Sequence, residues 1–290
     1  MRDNGARHQR FRDGEFDGCE LSFANYLAAW AHEAPFAAIP VFLNRQFRHS
    51  SIYVNAAAGI GQPKDLEGKR VGILSWLNSA ALWARGALEH DHSVDLTRVI
   101  WMAAGSGEVD GFQPPARFDV RPLGRDKPLP QPLLSGEIDA LITPRVIARQ
   151  YAPRVVRLFP NFDEVEMAYY RRTSIFPMSH ALVVRKQLLE EYPWLAKSLF
   201  DACQEAKQLA YDYAYDPEHA TLAWFGAAME KETAVFGGDG WPYGIEPNRR
   251  TLEALVRYAR ESGLLDAEPP IEDLFHATAR GLSAGNLTVT

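Results

Sequence analysis

The chain has 290 residues, 47% of them hydrophobic and 23% charged, with a formal net charge of −6. This balance excludes a disordered or fibrous protein, and it leaves no basic face large enough to neutralise nucleic-acid phosphates, so nucleic acid is not an expected partner. The length suits two lobes of about 100 to 200 residues each.

The opening run MRDNGARHQRFRDGEFDG is polar and mixed in charge. It lacks the apolar core of about 7 to 15 residues that an export signal needs. Apolar residues gather near 34–43, but Pro35 and Pro40 interrupt them, and the run falls short of the roughly 18 residues of a membrane span. A cytoplasmic protein without membrane contact is expected. Cys19 and Cys203 are too few and too far apart for a disulfide framework or a CxxC site, and both read as small buried fillers.

A strand-like run around Cys19 precedes a helix, and Glu20 at that junction either caps the helix or points into a cleft. Short β-branched runs then predict strands over 38–42, 51–55, 69–74, 98–102, 138–142, 155–159 and 180–184. Within this series NSAALWARGALEH, from Asn78 to His90, predicts a helix capped by Asn78 or Ser79. The stretch 105–132, rich in Gly, Pro and charge, loses periodicity and reads as a surface loop, either a mobile rim over a cleft or a plain connection. Amphipathic helices follow over 188–215, 217–231 and 247–263, with Pro217 and Pro247 in first turns. Strands alternating with helices indicate an α/β fold with a largely parallel sheet, followed by a helical last third.

Three segments resemble the 4,5-dihydroxyphthalate decarboxylase family, whose fold is similar to that of type II periplasmic solute-binding proteins. They are FDGCELSFANYLAAW with PFAAIPVFLNRQFRHSSIYVN (16–55), DLEGKRVGILSWLNSAALWARGALEH (65–90) and YYRRTSIFPMSHALVVR (169–185). The likeness continues through GEIDALITPR, RLFPNF and WPYGIEPNRRTLEALVRYARESGLL. DLEGKRVG by itself indicates only the solute-binding-protein fold, whereas FRHSSIYV with RRTSIFPMSH points to the decarboxylase branch.

The resemblance implies a two-lobed periplasmic-binding-protein-like fold of mixed, mostly parallel sheets. Residues 1–57 and 184–290 are expected in one discontinuous lobe and 58–183 in the other. Family members carry a further first strand and cleft-lining loop ahead of the matched region, so the first lobe is expected to lack that strand. The implied reaction is the non-oxidative decarboxylation of a hydroxylated aromatic dicarboxylate, 4,5-dihydroxyphthalate, to 3,4-dihydroxybenzoate and CO2.

A doubly negative ring needs fixed cations, and a guanidinium fork matches a carboxylate where a lysine does not. NRQFRHSS supplies Arg45, Arg48 and His49 just before a strand. If Phe47 points into the core, strand alternation turns Arg48 toward a cleft or solvent. Taken alone, the two arginines read equally as surface residues and His49 as a hydrogen-bonded structural histidine; the resemblance turns them toward the substrate. His180 opens an apolar strand after Pro177, and strand ends facing a crevice are where open α/β sheets place ligands, the alternative being a satisfied histidine at a strand edge. Ser51, Trp76 and Arg85 complete the candidate substrate-binding set. Arg85 otherwise reads as an exposed helix residue, and Trp76, Tyr169 and Tyr243 as core rather than an aromatic wall.

Direct loss of CO2 from an aryl carboxylate leaves an in-plane anion without resonance, so the ring carbon must be protonated first. A deprotonated hydroxyl para to it pushes electrons to that carbon and gives a dienone from which CO2 departs. One base and one acid suffice. His49 and His180 are the candidates for these roles, with Arg45 and Arg48 gripping the retained carboxylate and Glu20 orienting a histidine or accepting a hydroxyl proton. No HExxH or paired Cys/His pattern occurs, His90 and His92 read as solvated at a helix end, and GIGQPKD lacks phosphate-loop spacing. No organic cofactor is expected, with room left for a weakly held divalent metal. The competing readings are a small-anion solute-binding or sensing protein of the ABC-transporter type without catalysis, and an enzyme of the thiamin-pyrimidine synthase kind. The helical last third offers faces for pairing into a homo-oligomer.

Overall fold

The computed structural model describes residues 4–105, 109, 111–124, 129–147, 149–216, 218–219 and 222–283. Helix α1 (Asn4–Arg12) leads into β1 (Gly18–Ser22), α2 (Phe23–Trp30) and β2 (Phe36–Arg45). Strand β9 (Met178–Arg185) lies between β1 and β2, antiparallel to both, as a three-stranded sheet. The central strand carries the continuous apolar run ALVV (181–184) and is largely buried, and the long apolar run FAAIPVF in β2 packs against it. The distant chain segments in this sheet are joined by side chains. Tyr26 donates its hydroxyl to the Leu274 carbonyl at 2.6 Å and accepts from the Ala38 amide at 3.1 Å, which fixes the C-terminal segment onto the first sheet.

The second sheet has six strands. In chain order they are β3 (Ile52–Asn55), β4 (Arg70–Ile73), β5 (Ile100–Ala103), β6 (Asp119–Pro122), β7 (Ala140–Ile142) and β8 (Val155–Arg157). Their spatial order is β6-β5-β4-β7-β3-β8, parallel from β6 through β7, with β3 antiparallel to both neighbours. Strands β4 and β7 are apolar on both faces because helices cover them, as parallel strands require. All seven predicted strands are present within a few residues. Strand β6 falls in the stretch expected to be loop; Asp119, Arg121 and Pro122 give this edge strand little apolar signal, and Pro is tolerated only at an edge. Residues 106–108, 110 and 125–128 of that stretch lie outside the described residues.

Helix α3 (Ser79–His92) joins β4 to β5, with Asn78 accepting from the Ala81 amide as the cap. A short α4 (Pro130–Ser135) precedes β7. Helix α5 (Phe162–Thr173) has weak apolar periodicity; its signal was Asp163 and Glu164 in the first turn and Arg171 and Arg172 in the last, matched to the helix dipole. The single helix expected over 188–215 is two, α6 (Lys186–Glu191) and α7 (Leu195–Tyr215), because Pro193 cannot donate to the helix ladder. Next, α8 (Phe225–Phe236) starts later than the expected helix, whose residues 217, 220 and 221 lie outside the described set. Finally α9 (Arg249–Glu261) packs on α3 so closely that a Cβ on Gly86 would come within 2.2 Å of the Tyr258 ring. The chain is thus α/β, with helices dominating its C-terminal third. Among the described residues no helix is long and apolar enough to cross a membrane.

Candidate active site

His180 is the third residue of β9 rather than its first, and its register partners are Ser22 on β1 and Asn44 on β2. Glu20 stands two residues before Ser22 on β1, so its side chain leaves the same face of the sheet. Nδ1 of His180 lies 2.6 Å from Oε1 of Glu20. A carboxylate only accepts, so this contact places the proton on Nδ1 and leaves Nε2 free to take or give one. The His180 side chain keeps 16% and that of Glu20 31% of its surface exposed, so the pair is sheltered but reachable. His8 of α1 meets the His180 ring edge-on, with 6.0 Å between centroids. Glu20 therefore neither caps α2 nor stands alone.

Beside this pair the starts of two helices meet. Ser22, just before α2, and Ser79, the first residue of α3, share a hydrogen bond of 2.8 Å, and Ser79 also accepts from the Ala24 amide at 3.0 Å. Both serines are buried, so their hydroxyls tie the adjoining starts of α2 and α3 together. Sequence reasoning singled out neither serine for this purpose. Their position just ahead of helical runs was the available signal.

Strand β2 ends at Arg45, so the alternation assumed for Phe47 and Arg48 does not apply. Arg48 is buried, not turned to solvent: it precedes a tight 49–51 turn, donates to Gln46 Oε1 at 2.9 Å and to Ser179 Oγ, and has a buried Nε without a partner. Both partners are neutral, and Ser179 adjoins His180. Burial lowers the Arg48 guanidinium to about 10, which leaves it cationic at neutral pH. Arg45, also buried, donates to the Phe176 carbonyl at 3.0 Å and lies over the Phe176 ring, tying β2 to the segment before β9.

His49 has a different set of neighbours. It is 3% exposed and packed edge-on against Phe159 at 5.2 Å, Tyr169 at 5.3 Å and His92 at 5.8 Å, with no partner on its buried Nδ1. Burial, with His92 and Arg172 nearby, pushes its imidazole down to about 4, so it is neutral at physiological pH. His92 closes α3, the helix whose first residue, Ser79, touches Ser22; His180 and His49 thus associate with opposite ends of α3. His92 is not a solvated helix-end residue, because it packs on His49 and Phe159. Ser51 is buried without a hydroxyl partner, and its backbone carbonyl accepts from the Thr143 amide at 3.0 Å.

Arg85 and Trp76 form a third group. Arg85 is 1% exposed rather than on a helix surface, stacks 3.9 Å over the Trp76 ring and donates to the Trp76 carbonyl at 3.1 Å. Trp76 donates to the Ser262 carbonyl at 2.9 Å and packs on Trp101 and Phe118. Tyr169 and Tyr243 are likewise buried in the core. Near the end of α3 the ligand atoms of Glu89, His90 and Glu261 come within 4.8 Å of one another at the surface; His90 bonds Glu261 at 2.8 Å and stacks on Tyr258.

No family model matches the sequence. A 4,5-dihydroxyphthalate decarboxylase from Comamonas testosteroni is 31% identical over 284 residues, which cover 92% of this chain and 84% of the relative. Another protein of that name, from Pseudomonas putida, is 35% identical over 57% of this chain and 67% of its own length. Among solved structures the periplasmic aliphatic sulphonate binding protein SsuA from Escherichia coli superposes with a TM-score of 0.55 at 13% identity, covering 95% of this chain and 85% of that one. The last likeness identifies the fold as that of periplasmic binding proteins. With 31% identity over 92% of its length to a 4,5-dihydroxyphthalate decarboxylase, the chain belongs to the 4,5-dihydroxyphthalate decarboxylase family.

Proposed function

We propose that the protein is a carboxy-lyase that converts 4,5-dihydroxyphthalate to 3,4-dihydroxybenzoate and CO2, with His180 as the proton-transfer group. The observation that carries this reading is the Glu20–His180 pair that joins β1 to the central strand of the first sheet, in a chain of this family. Protonated His180 gives its Nε2 proton to the ring carbon bearing the departing carboxylate. The hydroxyl para to that carbon loses its proton, and the resulting dienone expels CO2 as the C–C electron pair returns to the ring. The proton released by the hydroxyl recharges His180, and the phenolate left when the ring regains aromaticity takes a proton from water, so one proton is consumed for each CO2 released. Glu20 holds the imidazole in one tautomer and one orientation.

Arg48, cationic, hydrogen-bonded to the neutral oxygens of Gln46 and Ser179 and with Glu166 nearby, is the proposed partner of the retained carboxylate; Arg45 supports it by holding the neighbouring backbone. His49, neutral and enclosed, serves the turn that carries Arg48 rather than the ring itself. The chemistry proposed needs no organic cofactor. The two lobes are proposed to follow the two sheets, with Ile52–Asn55 joining the six-stranded sheet through β7 and β8 rather than going with residues 1–57.

Incubating the purified protein with hydroxylated benzene carboxylates while following CO2 release tests the proposal. The expected result is release from 4,5-dihydroxyphthalate at a rate lost in His180→Ala. Tight binding of the dicarboxylate with no CO2 evolved would instead favour a small-anion binding or sensing protein.

A further inference from the structure

The turn that carries Arg48 and His49 has no capping side chain of its own. Short helical turns leave amide donors unserved, and a buried amide without an acceptor is costly. Here the acceptor comes from another element: Oε1 of Glu166, on α5, receives the Ser50 amide at 2.8 Å. The Ser50 carbonyl is held from a third direction, accepting Nε of Arg157, on β8, at 3.1 Å. Arg157 is itself braced by the Phe162 ring at 4.4 Å and the Tyr53 hydroxyl at 3.4 Å. Both polar groups of one peptide residue are therefore gripped by charged side chains from outside the turn. Arg48 is two residues upstream, and its guanidinium ends on Ser179, next to His180.

We propose that Glu166 is a positioning residue that, with Arg157, fixes the 48–51 turn so that the Arg48 guanidinium is held ready for the substrate carboxylate; this rests on the reading of Arg48 given above. The lever is short. Losing the grip on Ser50 frees the backbone from which Arg48 extends, and a guanidinium fork tolerates little angular error against a carboxylate. The effect falls on substrate affinity, because Glu166 touches neither the ring carbon nor the proton donor.

The test compares Glu166→Ala with Glu166→Gln, since glutamine keeps an oxygen for the Ser50 amide. Glu166→Ala is expected to raise KM for 4,5-dihydroxyphthalate about tenfold with kcat within about twofold, while Glu166→Gln stays within about threefold of wild type in both. Backbone hydrogen exchange over residues 46–52 is expected to speed up in Glu166→Ala and not in Glu166→Gln. An unchanged KM and unchanged exchange in Glu166→Ala overturn the proposal, as does an equal loss of kcat and thermal stability in both variants. If the wild-type protein neither binds nor decarboxylates the dicarboxylate, the functional reading fails by itself, and the exchange comparison still decides whether Glu166 holds the turn.

Discussion

Two histidines in this molecule meet opposite surroundings. His180, in the middle of a sheet, is partly exposed and paired through Nδ1 with Glu20 at 2.6 Å. His49, in a turn, is enclosed by Phe159, Tyr169 and His92, and its Nδ1 has no partner. An imidazole bonded to a carboxylate through one nitrogen is fixed in orientation with its other nitrogen available to a ligand, whereas one buried among aromatic rings is held neutral. Residue type alone therefore does not separate a candidate acid–base group from an enclosed imidazole; the neighbours do.

The largest expected effect belongs to the first of these sites. His180→Ala should lower kcat by about a hundredfold or more, the usual worth of a positioned acid–base group, with little change in thermal stability. Glu20→Gln should cost about tenfold or more by the same assay, because it weakens the hold on the ring without removing it. Turnover that survives His180→Ala would dissolve the contrast between the two histidines.

For His49 the readout is stability rather than rate. The unfolded imidazole titrates near 6.5 and the folded one near 4, so between these values the unfolded chain binds more protons and stability falls as pH falls. About 3 kcal/mol should be lost from this group between pH 6.5 and pH 4, measured by denaturant unfolding at stepped pH. His49→Phe should remove most of that dependence. A variant with the wild-type acid slope would show that His49 is not the group responsible.

The smallest effect, and the one that sharpens the link between the two sites, is at Arg48. Arg48→Lys keeps the charge but loses the fork that reaches Gln46 and Ser179 together. KM should rise about tenfold with kcat nearly unchanged, equivalent to about 1.4 kcal/mol of binding. A matching fall in kcat would move Arg48 from substrate binding into the chemical step.

Periodicity and turn residues placed every expected strand and the Asn78-capped helix, because those elements are decided within a few residues of chain. Strand β6 and helix α5 escaped, as neither has a regular apolar face; one is an edge, the other is set largely by charge at its ends. For the candidate site, the residue types Glu20, Arg48 and His180 stood out in the sequence, and Glu20 was already weighed as an orienting group. Their grouping was not visible, since Glu20 and His180 lie 160 residues apart and meet only because β1 pairs with β9. The burial of Arg85 against Trp76 and Trp101 was equally hidden, because helix α9 covers it from beyond residue 248.

What the sequence determined by itself was the α/β class, the family and the chemistry its side chains are able to perform, since local patterning and residue identity travel with the chain. Tertiary structure alone decided which imidazole faces a carboxylate and which faces aromatic rings. That choice depends on strand register and on helices packed from distant segments, neither of which any local stretch of the chain encodes.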